Sequence, residues 1–124
     1  MFDARQRVLP NGIKLITIKK DTELSAFHAA VNIGALYENN NERGISHFIE
    51  HMLFKGTLLR NNKKLNVDLE TLGGEYNAYT DNTSTVYSVT CLREELKETV
   101  NIISDMLMNS IFPREEIEKE REVI

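Results

Sequence analysis

Apolar and polar positions change period several times along the chain, and each change marks an element. The runs GIKLITIKK (12–20) and SAFHAAVNIGA (25–35) alternate and are rich in β-branched residues, which predicts two strands. Only the polar DTEL separates them, so they are expected to be antiparallel neighbours, and Pro10-Asn11-Gly12 supplies a turn ahead of the first. After the Asn-rich loop YENNNERG, residues 44–55 place Ile45, Phe48, Ile49, Met52 and Leu53 at i, i+3, i+4, i+7 and i+8. That spacing predicts a helix whose apolar stripe faces the core. KKLNVDLETLGG reads as a second, shorter helix with Leu65, Leu69 and Leu72 on one side, stopped by Gly73-Gly74, one of which takes the left-handed cap conformation. EYNAYTDNTSTVYSVTCL (75–92) alternates in its second half and is one strand or a hairpin of two. A long helix from Glu94 to Ser110 carries Leu96, Val100, Ile103 and Leu107 on one face, and Pro113 opens a last charged helix, REEIEKEREVI.

This order predicts an α+β architecture with helices packed on a largely antiparallel sheet. The 124 residues match one ordinary domain, or part of one. The last helix meets no Gly, Asn or Pro before Ile124, so residues 1–124 are expected to be a truncated domain.

Composition narrows the function classes. With 41% hydrophobic and 27% charged residues the chain is a globular protein rather than a disordered one. A net charge of −4 and a pI near 5.4 exclude a nucleic-acid partner, because no basic patch stands out and Lys19-Lys20 and Lys63-Lys64 read as solvated surface. Cys91 is the one cysteine, so neither an internal disulfide nor a cysteine zinc cage can form, and its apolar strand-like surroundings predict a buried thiol. No run approaches the ~20 apolar residues that span a bilayer, and the N-terminus lacks a secretory apolar core, so no membrane partner and a cytoplasmic setting are expected.

The chemistry concentrates in HFIEH, residues 47–51. Projected as a helix, His47, Glu50 and His51 fall opposite the apolar stripe. Two histidines one turn apart aim the same way and suit zinc, which accepts neutral imidazole in tetrahedral geometry, while Glu50 lies on the same side as a base. The plain alternative is a solvated polar face that happens to hold two histidines. Phe54 among them implies that this side is covered, and a covered His/Glu/His cluster requires partners or a metal. His28, in an apolar run, reads as a packed or hydrogen-bonded sheet residue rather than a ligand, and Met106 and Met108 as ordinary packing or surface positions.

Three ordered motifs, HFIEHMLFKGT (47–57), GGEYNAYTDNTSTVY (73–87) and IEKEREVI (117–124), resemble the M16 or pitrilysin family of inverted-motif zinc peptidases. This family includes insulin-degrading enzyme and the β subunit of the mitochondrial processing peptidase. LPNGIKLI and the approach GALYENNNERGISHFIEH resemble it too, so the likeness covers nearly the whole chain. It implies the metallohydrolase fold of the processing peptidase, here the first part of its catalytic domain. It also implies zinc endopeptidase activity on peptide substrates, with His47 and His51 as zinc ligands and Glu50 as general base. Asn77 and Ala78 would lie on a strand that takes the substrate. The family's third zinc ligand is a glutamate about two turns beyond the residue matching Glu120, which falls past Ile124. Glu120 is then a supporting acid that orients a histidine, although a shifted register would bring Glu120 or Glu122 to the metal. Glu115, Glu116, Glu118 and Glu122 otherwise read as a solvated helix face.

Family resemblance further implies a second homologous half or partner subunit that encloses the substrate, and a homo-oligomer would serve the same end. Residues 1–124 alone are expected to bind zinc weakly and to cleave little. The rival reading is a non-catalytic subunit that keeps the M16-like fold for assembly. The intact His-x-x-Glu-His argues against it, because a subunit without metal gains little from all three residues.

Overall fold

The structure is a computed structural model that describes residues 3–123; Ile124, the end of the charged run, lies outside them. Strands β1 (Asp3–Val8) and β2 (Lys14–Lys19) form an antiparallel hairpin with Asp3 opposite Lys19. Pro10-Asn11-Gly12 turns it: Gly12 N–H donates to Leu9 O at 2.9 Å, and Leu9 N–H donates to Ile13 O at 2.8 Å. The expected pairing of the 12–20 run with the 25–35 run does not occur. Residues 20–23 hold neither Gly nor Pro to reverse the chain tightly, whereas Pro10-Asn11-Gly12 folds β2 back onto the polar 3–8 segment.

A second antiparallel sheet contains β3 (Leu24–Val31), β4 (Glu75–Thr80) and β5 (Thr85–Leu92) in the order β3-β5-β4. The 75–92 segment is therefore a hairpin. Its turn is held by Asp81, whose Oδ1 accepts from the backbone N–H groups of Thr83 at 2.9 Å and Ser84 at 2.7 Å. Central β5 alternates as its sequence predicts, with Thr85, Tyr87, Val89 and Cys91 buried; Val86 is buried as well.

The helices are α1 (Ile45–Met52), α2 (Asn62–Thr71), α3 (Leu96–Asn109) and α4 (Arg114–Val123). Asn61 caps α2 by accepting from Lys64 N–H at 2.9 Å. Leu65, Leu69 and Leu72 then reach the core with Tyr87, Val89 and Cys91 of β5 and Ile102, Ile103 and Met106 of α3. Each such leucine contributes about 1.5–3 kcal/mol by leaving water.

Two helices turn differently from their hydropathy. On α3 the core side is Thr99, Ile102, Ile103 and Met106, and Val100 is exposed. Burial of Thr99 is possible because its hydroxyl donates to Glu95 O at 2.9 Å. On α1 the expected inward stripe is partly outward: Ile45 and Ile49 are 45% and 39% exposed, while Ser46, Glu50 and Met52 are buried. Here too the buried polar groups have partners, since Ser46 N–H donates to Glu38 and Glu50 accepts from Thr80. That rotation sends the His/Glu face toward β4 and α4.

Candidate metal centre

The site is built on α1 and completed by groups far away in sequence. Glu38 anchors the start of the helix, its Oε2 accepting from Ser46 N–H at 2.8 Å and its Oε1 from Gly44 N–H at 2.9 Å. These two hydrogen bonds hold the Glu38 carboxyl below the usual carboxylate range. One turn on, His47 and His51 bring their Nε2 atoms to 2.9 Å from each other, the rings edge to face. Glu50 offers a carboxylate oxygen on the same side, and the three ligand atoms lie within 4.8 Å of one another.

Glu120 of α4 reaches back to this group, its Oε2 lying 3.0 Å from His51 Nδ1 and its Oε1 3.1 Å from Lys55 Nζ. Burial works to raise the Glu120 carboxyl, but Lys55 and His51 outweigh it and hold it below its ordinary value. An ionised Glu120 accepts from Nδ1–H of His51, and in the neutral ring that tautomer turns the Nε2 lone pair toward His47.

Glu50 is 7% exposed and accepts a hydrogen bond on Oε2 from the Thr80 hydroxyl of β4. Beneath it the Tyr87 phenol is pushed well above its usual value, first by burial and then by the negative charge of Glu50, and stays protonated. Glu50, His51, Lys55, Asn77, Ala78 and Glu120 line one open cleft of about 300 Å³. Asn77 and Ala78 sit on β4, an edge of the sheet among the described residues, and Asn77 Oδ1 accepts from Ala78 N–H at 2.8 Å.

These residues fit a zinc ion. Two imidazole nitrogens at ~2.0–2.1 Å from a tetrahedral metal stand about 3.3 Å apart, and the observed separation of 2.9 Å is close to that value. Of the other candidates, His28 is exposed on β3 opposite Ser88, Met106 is buried and Met108 is exposed. Glu122 is exposed, and Glu120 engages His51 Nδ1 rather than the Nε2 pair. Sequence reasoning missed Thr80 and Lys55. The period of β4 held a signal for Thr80, which shares the face of Ala78 two residues on, and Lys55 lies four positions after His51.

The profile of the family described as Insulinase (Peptidase family M16) matches residues 14–124. The chain belongs to peptidase family M16. Among the relatives, a zinc protease of Rickettsia felis is 41% identical over 117 residues, covering 94% of this chain and 28% of that protein. The mitochondrial-processing peptidase subunit beta of Caenorhabditis elegans is 40% identical over 116 residues, 94% of this chain and 25% of its own length. The ubiquinol-cytochrome-c reductase complex core protein I of Euglena gracilis is 34% identical over 119 residues, 96% of this chain and 24% of that protein. The chain thus spans about a quarter of the length of the curated M16 relatives it matches.

Proposed function

We propose that the protein is a zinc-dependent endopeptidase in which His47 and His51 hold the metal and Glu50 is the general base. The observation that carries this reading is the convergence of both Nε2 atoms and the Glu50 carboxylate on one face of α1. Bound there, zinc would supply Lewis acidity toward a peptide carbonyl and toward water. Thr80 occupies one oxygen of Glu50, which leaves the other to take a proton from water and to pass it to the leaving amine. Glu120 keeps the His51 ring in the tautomer and orientation that present Nε2.

The substrate in this reading is an extended peptide that adds as a strand along Asn77 and Ala78, gaining main-chain hydrogen bonds with little demand on side chains. A third protein ligand, a glutamate about two turns beyond Glu120, and a second homologous half or partner subunit complete the site. Residues 1–124 alone are therefore proposed to bind zinc weakly and to cleave little.

Metal analysis of the full-length protein tests the reading. One zinc per chain is expected, lost in a His47→Asn, His51→Asn double variant, together with cleavage of an unfolded peptide that a chelator stops and added zinc restores. Zinc retained by the double variant, or cleavage indifferent to chelation, would overturn the assignment. A protein that binds zinc yet cleaves no peptide would favour the non-catalytic subunit.

A further inference from the structure

Lys55 lies just past the C-terminal end of α1, its N–H donating to Met52 O at 3.0 Å, and it lines the same cleft as His51 and Glu120. Glu120 is 8% exposed and its carboxylate is shared between two partners, one on each oxygen: His51 Nδ1 at 3.0 Å and Lys55 Nζ at 3.1 Å. A carboxylate held at a single oxygen still turns about its last torsion, which is broad for this type of bond. Held at both, its plane is fixed. The orientation of the His51 ring depends on that plane, because Nδ1–H follows the oxygen that accepts from it, and the direction of Nε2 follows the ring.

We propose that Lys55 is a positioning residue for the metal centre: by holding Oε1 of Glu120 it fixes the carboxylate whose Oε2 orients His51. The inference rests on the reading of His47 and His51 as metal ligands. It adds that the contact between α1 and α4 is part of the metal site, with the Lys55 ammonium linked to His51 through the two oxygens of Glu120. Lys55 touches neither metal nor substrate in this scheme and acts through Glu120. Lysine serves here as a point charge on a long stem, so arginine, with the same charge and comparable reach, keeps the essential contact, whereas methionine keeps only the apolar stem.

The test uses the full-length protein with Lys55→Met and Lys55→Arg. Three quantities are read: zinc affinity by competition with a chromogenic chelator, the visible absorption of the cobalt-substituted protein, and the melting temperature of the metal-free protein. Lys55→Met is expected to weaken zinc binding about tenfold and to alter the cobalt bands. Lys55→Arg is expected to restore both, with the metal-free melting temperature unchanged in each. A Lys55→Met protein with wild-type affinity and wild-type cobalt bands would overturn the proposal. So would affinity lost equally in both variants in step with a lower metal-free melting temperature, which would reduce Lys55 to a bridge between helices. Should Lys55→Met fail to fold, Lys55→Gln replaces it under the same criteria. Failure of the wild type to bind zinc would instead overturn the assignment of the histidines.

Discussion

The Thr80 hydroxyl donates to Oε2 of Glu50, joining the edge strand β4 to the carboxylate of α1 across thirty positions of sequence. A hydrogen bond to an ionised group is among the stronger ones and fixes which oxygen remains free. If Glu50 is the base, Thr80→Val lowers kcat about tenfold, the equivalent of about 1.4 kcal/mol, with zinc content unchanged. Thr80→Ser keeps the hydroxyl and stays near wild type. Steady-state kinetics with metal analysis of both variants decide it.

Arg60 binds Asp105 at 2.7 Å and Asp68 at 2.9 Å, and Thr57 donates to Asp105 at 2.6 Å, which pins the 53–61 loop to α2 and α3. Burial works to raise the Asp105 carboxyl, but hydrogen bonds from Thr57, Asn109 and Arg60 hold it below its usual value. Its folded pKa is depressed, so its contribution is complete above the unfolded value of roughly 4 and is lost as pH falls through the folded value. Asp105→Ala is expected to cost about 3 kcal/mol near neutral pH, because Arg60 loses its buried partner. Urea midpoints followed from neutral pH into acid should show the wild type losing stability more steeply than the variant.

Gly73 and Gly74 follow α2 for different reasons. Gly73 has φ of 75°, the left-handed cap expected of one of the pair. Gly74 is needed for closeness: a Cβ there would stand 1.5 Å from Thr90 O, across the β4–β5 hairpin. Gly73→Ala is expected to cost about 1–2 kcal/mol, and Gly74→Ala more, because the start of β4 must leave β5. Thermal melts of the two variants rank them, and the reverse order would contradict this account of the turn.

Glu38 holds the first N–H groups of α1 ahead of His47. Glu38→Ala is expected to fray that end, speeding amide exchange over 44–48 and weakening zinc binding, while exchange in α3 is unchanged. Exchange mass spectrometry on wild type and variant checks it.

Much of this architecture was legible because periodicity coincided with burial. Leu65, Leu69 and Leu72 on α2 and the alternating positions of β5 are where hydropathy places them. It misled where polar side chains carry their own partners into the interior. Ser46 and Glu50 are buried while Ile45 and Ile49 are exposed, because Glu38 and Thr80 satisfy the polar face, and a hydropathy projection contains no term for those distant groups. Pairing was legible where a turn closed it, as at Pro10-Asn11-Gly12, and illegible for β3, whose partner β5 begins more than fifty residues later. The grouping of His47, Glu50 and His51 follows from helical spacing alone. Lys55 and Glu120 meet only through the packing of α4 on α1, which no local pattern records.

The most direct test of the central claim is Glu50→Gln in the full-length protein, which keeps the shape of the side chain and a carbonyl oxygen for Thr80 while removing the base. Zinc content at the wild-type level with peptide hydrolysis reduced by about 10²–10⁴-fold is the predicted result; hydrolysis at the wild-type rate would contradict it.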